Sequence, residues 1–212
     1  QAELGHIPQA AVDEIKAKAK FNVDRILEIE AEVRHDVIAF LTNVNEYVGE
    51  AGRYIHLGMT SSDVLDTALA LQMVASTNIL LTRLEETIQA IRYQAQKHRN
   101  TVMIGRSHGI HAEPITFGFK LAGWLAEMLR NRDRLVTVRR SIAVGKISGA
   151  VGTYANIEPR AEAIACQKLG LTPDTASTQV ISRDVHAEFA QVLALIGASI
   201  ERFAVEIRNL QR

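Results

Sequence analysis

The chain has 212 residues, 47% apolar and 23% charged, which is the composition of a packed domain and excludes a disordered one. Lys plus Arg equals Asp plus Glu at 24 each, so no net basic field draws in nucleic acid, and aromatics at 5% are too few for base-stacking platforms. Cys166 is alone, which excludes an intrachain disulfide and fits a reducing cytosol. No apolar run approaches the ~18 residues of a membrane span, and no signal-peptide pattern opens the chain. The chain opens abruptly at Gln1 and stops at Asn209-Leu210-Gln211-Arg212 inside a helical pattern. The expectation is a fragment of something longer.

Pro8 reads as the entry to a short helix over about 8–20. Asn22 is a helix N-cap for a second helix carrying Ile26, Ile29 and Val33. A third runs from Asp36 to Val48 and ends at Gly49, and 52–58 is a connection. From Ser61 to Ile104 there is no Gly and no Pro. Leu65, Leu69, Met73, Leu80, Leu84, Ile88, Ile91 and Ala95 recur at steps that mark one helical face, with Thr77 as the polar intrusion. Ser61 or Ser62 caps this helix, with Asp63 near the positive end of its dipole. At ~1.5 Å per residue it would be close to ~60 Å long.

Pro114 suits the first turn of another long helix, to about Ile142. Residues 145–156 are Gly-rich and irregular, Pro159 to Leu169 is a short helix closed by Gly170, and 172–183 is a polar loop. Asp184 starts a last helix with Phe189, Val192, Leu193, Ile196, Ile200, Phe203 and Ile207 on one face. No stretch shows sustained period-two alternation between turn residues, and Val102-Met103-Ile104 is at most a brief extended piece, so the expected fold is all-α, a bundle of long helices.

The stretch richest in chemistry is Gly105-Arg106-Ser107-His108-Gly109-Ile110-His111-Ala112-Glu113-Pro114-Ile115-Thr116-Phe117-Gly118. Gly105, Gly109 and Pro114 are expected to leave it irregular between rigid helices, a common way to build a site. A plain reading makes His108 and His111 solvent-exposed loop residues. A metal reading gives zinc two nitrogens and an oxygen from His108, His111 and Glu113. It lacks the helical i, i+4 spacing that aligns two imidazoles, and no Cys lies nearby.

Three further polar clusters stand at helix ends: Arg34-His35-Asp36, His56 to Asp63, and Thr178 to Asp184. Taken singly, each reads as an ordinary helix start, with Asp36 as a cap in the first. Taken together, they suggest an anion site. Helix N-termini supply N–H groups and a positive dipole end, the hydroxyls of Thr60 and Ser61 add donors, and imidazoles move protons near neutral pH.

The motif from Gly105 to Pro114 resembles that of the adenylosuccinate lyase family, a branch of the fumarase/aspartase superfamily. Arg34-His35-Asp36, His56 to Asp63, Ser148-Gly149-Ala150-Val151-Gly152-Thr153 and Gln179 to Asp184 resemble that family in the same order, so the likeness covers nearly the whole chain. The resemblance implies β-elimination of fumarate from adenylosuccinate, giving AMP, and from the succinyl-carboxamide ribotide of purine biosynthesis. It implies His108 as the acid on the leaving nitrogen and His35 as an acid–base partner. By the same likeness, Thr60 and Ser61 hold the succinyl part, Arg34, His35 and Asp36 form a binding trio, His56 lies near the phosphate, and Gln179 binds substrate. The family needs no metal and no cofactor. Ser107 stands where the family has Thr, and the hydroxyl survives.

The family's Gly-Ser-Ser-rich loop, with its base serine and a Lys, has no counterpart in these residues, nor does the Arg-Tyr pair of the family's N-terminus. The expectation is therefore part of an N-terminal helical domain over 1–58 and part of a central long-helix bundle over 59–212, inactive alone. The parent is expected to be a cytoplasmic homotetramer acting on a small nucleotide, bound to neither nucleic acid nor membrane. The rivals are another fumarate-releasing lyase, such as argininosuccinate lyase, and a non-catalytic helical scaffold.

Overall fold

A computed structural model describes residues 1–211. Its helices are α1 (Gln9–Lys18), α2 (Val23–Val33), α3 (Asp36–Val48), α4 (Ser61–Lys97), α5 (Phe117–Ser141), α6 (Pro159–Leu169) and α7 (Asp184–Leu210). Strands β1 (Val102–Ser107) and β2 (Ile110–Thr116) form an antiparallel hairpin, and β3 (Val144–Gly145) and β4 (Thr172–Pro173) form a short parallel pair. The chain divides into two compact units, 1–70 with 144–182 and 71–143 with 183–211.

In the first unit, Asn22 caps α2 as its side chain predicts, accepting from the Arg25 amide at 2.9 Å. The Asn22 amide in turn donates to Oδ1 of buried Asn43 at 2.7 Å, which ties the start of α2 to α3. Ala11, Val44, Val48 and Ala51 form a small core with Ile15, Phe40 and Tyr54 packed on it. Pro159 opens α6 and left-handed Gly170 closes it.

The second unit has the larger core, in which α5 and α7 pack against each other and Leu84 and Ile88 come from α4. Trp124 and Phe203 stack with ring centroids 4.5 Å apart, and Met128, Leu135 and Val138 are wholly buried. Asn131 donates to Ser199 Oγ at 2.9 Å, a satisfied polar link inside an apolar seam.

Six expectations need correction. The long helix ends at Lys97, and the extended piece at 102–104 is the start of a hairpin that takes in 102–116, in place of the expected irregular chain. Pro114 lies in β2 opposite Ile104, and α5 begins only at Phe117, capped by Thr116 Oγ1, which accepts from the Phe119 amide at 3.1 Å. Both strands of a two-stranded ribbon are edges, so a residue without N–H is tolerated there. His35, not Asp36, is the N-cap of α3.

The apolar face expected along α4 is also wrong near its start. Leu65, Leu69 and Leu80 are exposed, whereas Asp63, Asp66, Thr67 and Ala70 are buried. Thr77 is buried without cost to the helix, because its hydroxyl donates to the Met73 carbonyl at 2.7 Å. Lastly, α4 contains an 18-residue window long and apolar enough to cross a membrane, 28% of it buried, which the search for apolar runs overlooked. Long core helices of packed bundles share that property.

Leu135 has no collapse route within this seam. Leu135→Ala is expected to cost about 2–5 kcal/mol, against about 0.5 or less for half-exposed Leu195→Ala. Urea unfolding followed by the fluorescence of the single tryptophan, Trp124, reads the unit directly. Equal midpoints for the two variants would contradict this packing.

Candidate functional site

Arg34 ends α2 in the left-handed conformation, φ 55°, and its amide donates to the Glu30 carbonyl at 2.8 Å. The chain thereby turns sharply enough for His35 to start α3. His35 Nδ1 faces two groups: the Ile38 amide at 3.4 Å and Asp36 Oδ1 at 3.3 Å. A lone pair on Nδ1 suits the amide and a proton suits the carboxylate. Asp36 Oδ1 already accepts the Val37 amide at 2.7 Å. On the other side of the ring, Nε2 lies 3.4 Å from Ser61 Oγ. Moving the ring proton from Nε2 to Nδ1 therefore exchanges donor for acceptor at Ser61.

Ser61 begins α4, preceded by Thr60, whose amide donates to Asp63 Oδ2 at 2.9 Å. Two helix N-termini, those of α3 and α4, are thus joined through a single His–Ser contact. His56 belongs to a cavity of about 430 Å³ lined also by Ile38, Thr42, Asn45 and Arg53. Its Nε2 is buried and has no hydrogen-bond partner. Gln179 is exposed in a turn where the Thr178 amide donates to the Val180 carbonyl at 3.2 Å. The next amide, Ile181, donates to Asp66 Oδ2 on α4 at 2.7 Å.

In the second unit, His108 and Gly109 are the two turn residues of the hairpin, with φ 55° and 75°. Positive φ at both is what a type I′ turn demands, and Gly supplies the second at no steric cost. His108 is exposed at the tip. His111 sits on β2 opposite Arg106, whose guanidinium donates to the Gly109 carbonyl at 3.5 Å. Among the described residues, no three of His, Cys, Asp and Glu are grouped so as to hold a metal ion.

Sequence reading missed how 144–156 bears on this region. Lys146, wholly buried, pairs with Asp63. Tyr154 donates to Glu162 Oε1 at 2.6 Å, and the Ile147 amide donates to the other oxygen at 2.6 Å. A lysine set between Gly145 and Gly149 was the available signal: a charge in a tight turn needs a partner close by. Burial pushes the Cys166 thiol up to about 11, with nearby Glu162 adding to the effect, so this thiol is held as an inert core group.

A family model described as Lyase matches residues 1–212. The chain belongs to that family. It is 84% identical over 212 residues to adenylosuccinate lyase of Synechocystis sp., covering all of this chain and 49% of the relative. It is 52% identical over 211 residues to adenylosuccinate lyase of Bacillus subtilis, again covering 49% of it. The chain therefore spans about half the length of the curated relatives it matches.

Among solved structures, the fumarate lyase of Mesorhizobium sp. superposes with TM-score 0.94 at 32% identity, over all of this chain and 51% of that one. The 3-carboxy-cis,cis-muconate lactonizing enzyme of Pseudomonas putida superposes with TM-score 0.91 at 32% identity, over all of this chain and 50% of that one. The fold of this chain is thus mostly helical, as the sequence indicates, with two short strand pairs, and the likeness to these structures extends over all of it.

The Tyr154–Glu162 bond and burial push the Tyr154 phenol up to about 12. A group that holds its proton more tightly when folded stabilises the fold below its unfolded pKa, ~10 for tyrosine. That contribution is lost as pH rises toward 12. In a tyrosine absorbance titration one of the four tyrosines is expected to lag toward pH 12, and the lag should vanish in Tyr154→Phe. Four tyrosines ionising together would contradict the geometry.

Proposed function

We propose that this chain carries part of an adenylosuccinate lyase, which eliminates fumarate from adenylosuccinate to leave AMP, and likewise from the succinyl-carboxamide ribotide. The observation that carries this reading is the 84% identity to the Synechocystis enzyme along every residue of the chain, motif segments included. The arrangement of the first unit supports it. Two helix N-termini and the Ser61 hydroxyl meet beside an imidazole, with Thr60 next to Ser61 in the chain, which suits a carboxylate-bearing substrate.

In the proposed reaction a base removes the proton beside a succinyl carboxylate, and the resulting aci-carboxylate-like carbanion is held by hydrogen-bond donors. The electron pair of the broken C–H bond becomes the C=C bond of fumarate. The C–N pair leaves with the nitrogen, which takes a proton from His108. His108 at the tip of the hairpin is exposed, as a group that must reach a substrate atom needs to be. Thr60 and Ser61 hold the succinyl carboxylate, and His35, in reach of Ser61, is the second proton-handling group. Arg34, Asp36 and Gln179, all exposed, bind substrate. His56, which lines the cavity and whose buried Nε2 has no partner, is the residue near the phosphate in this reading.

The same proposal includes a boundary between 58 and 59 in the parent, a soluble homotetramer, and a cytoplasmic home. The tetramer is supported by apolar side chains left exposed along α4 and α7, among them Leu65, Ile79, Leu80, Leu195 and Ile200. The buried single thiol is in keeping with a reducing compartment.

The test uses the full-length protein. It is expected to release fumarate from adenylosuccinate and not from argininosuccinate, followed by absorbance. His108→Gln is expected to cut kcat by ~10²–10⁴ with KM within a few-fold, the usual worth of a positioned acid. Near-normal kcat in that variant would remove His108 from the chemistry. Thr60→Ala with Ser61→Ala should weaken fumarate binding more than AMP binding in calorimetry. Equal losses would put these hydroxyls elsewhere on the substrate.

A further inference from the structure

We infer that the buried Lys146–Asp63 pair is a positioning device for the Thr60–Ser61 turn, setting the backbone that meets a substrate carboxylate without touching substrate itself. The inference rests on the lyase reading above and deepens it. Both side chains have no exposed surface. Asp63 Oδ1 accepts from Lys146 Nζ and from the Ser148 amide at 3.2 Å. Its Oδ2 accepts from the Thr60 amide at 2.9 Å and the Gly149 amide at 3.2 Å. Lys146 Nζ donates again, to the Gly149 carbonyl at 2.9 Å. One carboxylate thus fixes the residue before Ser61 to a turn more than 80 positions later in the chain.

Neighbouring bonds extend the same clamp. Thr67, one turn along α4, accepts the Lys146 amide and donates to the Lys146 carbonyl, each at 3.0 Å. Ser148 Oγ and Ser177 Oγ lie 2.8 Å apart. A Cβ at Gly152 would stand 2.0 Å from the Ser177 carbonyl, so only glycine lets these two segments approach. Through Asp66 and Ile181 the clamp reaches the turn that carries Gln179.

Stability alone does not explain this choice of residues. Apolar side chains of similar volume fill a dry site at least as favourably as an ion pair. A carboxylate does what they cannot: it accepts several N–H donors at once, each in a fixed direction. Asparagine at 63 would turn an NH₂ toward backbone donors. The pair is net neutral, so it adds little charge to an anion site and acts through the Thr60 backbone.

The test compares full-length parent, Lys146→Met, Asp63→Asn and the double variant, with Val48→Ala, a wholly different core position, as the reference for lost stability alone. Hydrogen exchange is read over 57–64 and 146–153, with the inhibition constant of fumarate and the Kd of AMP. Both single variants are expected to exchange at least tenfold faster in both segments and to bind fumarate at least tenfold more weakly, with AMP within threefold. The double variant should regain Tm but not fumarate affinity, and Val48→Ala should lose Tm but not fumarate affinity. Thr67→Val, which loosens only the Lys146 backbone, replaces any single variant that fails to fold, with a shift in the same direction.

Unchanged exchange at 57–64, unchanged fumarate affinity, or an equal loss in Val48→Ala overturns the inference. So does a double variant that recovers fumarate affinity. A parent that neither binds fumarate nor releases it overturns the lyase reading instead. The exchange data then still decide whether the pair holds the turn.

Discussion

An ammonium and a carboxylate taken out of water together are tolerable only when every remaining lone pair and proton finds a partner. Asp63 and Lys146 come close to that condition: the carboxylate accepts from the amides of 60, 148 and 149 as well as the ammonium, which donates again to the Gly149 carbonyl, and the first unit is arranged around the consequence. The beginning of α4 cannot present an apolar face inward, because its inward positions are occupied by Asp63, Asp66 and Thr67. Each of these binds a different backbone segment: Asp63 the 148–149 turn, Thr67 the Lys146 peptide, Asp66 the Ile181 amide. Irregular segments that a small core could not order by burial are ordered by directional bonds from one helix. Removing one partner of such a pair typically costs ~3–5 kcal/mol, because the other stays buried and uncompensated.

The second unit is built on the opposite principle. Its core is aliphatic and aromatic, with Trp124 stacked on Phe203 and wholly buried Met128, Leu135 and Val138 between α5 and α7. Non-directional packing of this kind fixes helices against each other but does not order an exposed loop. The hairpin solves that locally. A two-residue turn with positive φ at His108 and Gly109 sets the register of Ser107 against Ile110, and Phe117 and Gly118 bond back to the carbonyls of Thr101 and His98. His108 is carried between two paired strands while it stays exposed.

Where local chemistry determines an element, the sequence announced it. Asn22 caps α2, Pro159 and Gly170 bracket α6, and Gly49 ends α3 as their types dictate. The larger misreadings share a cause, which is that each depends on a partner elsewhere in the chain, whereas the N-cap of α3 at His35 is a local matter of one position. Glu113-Pro114 before an apolar run reads as a helix start, and only the pairing of Pro114 with Ile104 makes it strand. Period-two alternation was hidden because the register shifts between Ile104 and Arg106, around Gly105. The leucines at 65 and 69 promised a buried face, yet the face that is buried is chosen by Lys146 and Ile181, far along the chain. Of the candidate site, the contact of His35 with Ser61 and the turn at His108 follow from segments that were legible by motif. The Lys146 pair was not, since a lone lysine in a Gly-rich turn gives no hint of which acid it meets.

The fold alone does not select a reaction. The Mesorhizobium fumarate lyase and the Pseudomonas lactonizing enzyme are equally alike to this chain in sequence, at 32% each, and nearly equally in backbone, at TM-scores of 0.94 and 0.91. One name speaks of elimination to fumarate and the other of ring closure, so chemistry must be set by side chains displayed on a common frame. What such reactions can share is a carboxylate to be gripped and a proton to be moved at the carbon beside it. A frame that fixes backbone N–H groups and hydroxyls at helix starts serves that shared need without specifying the rest of the substrate. This division fits a first unit whose Asp63, Asp66, Thr67 and Lys146 are buried and polar, while Arg34, Asp36 and Gln179 stand exposed. On the proposed reading, the buried bonds hold the Thr60 turn in place and the exposed side chains carry the contacts particular to the substrate.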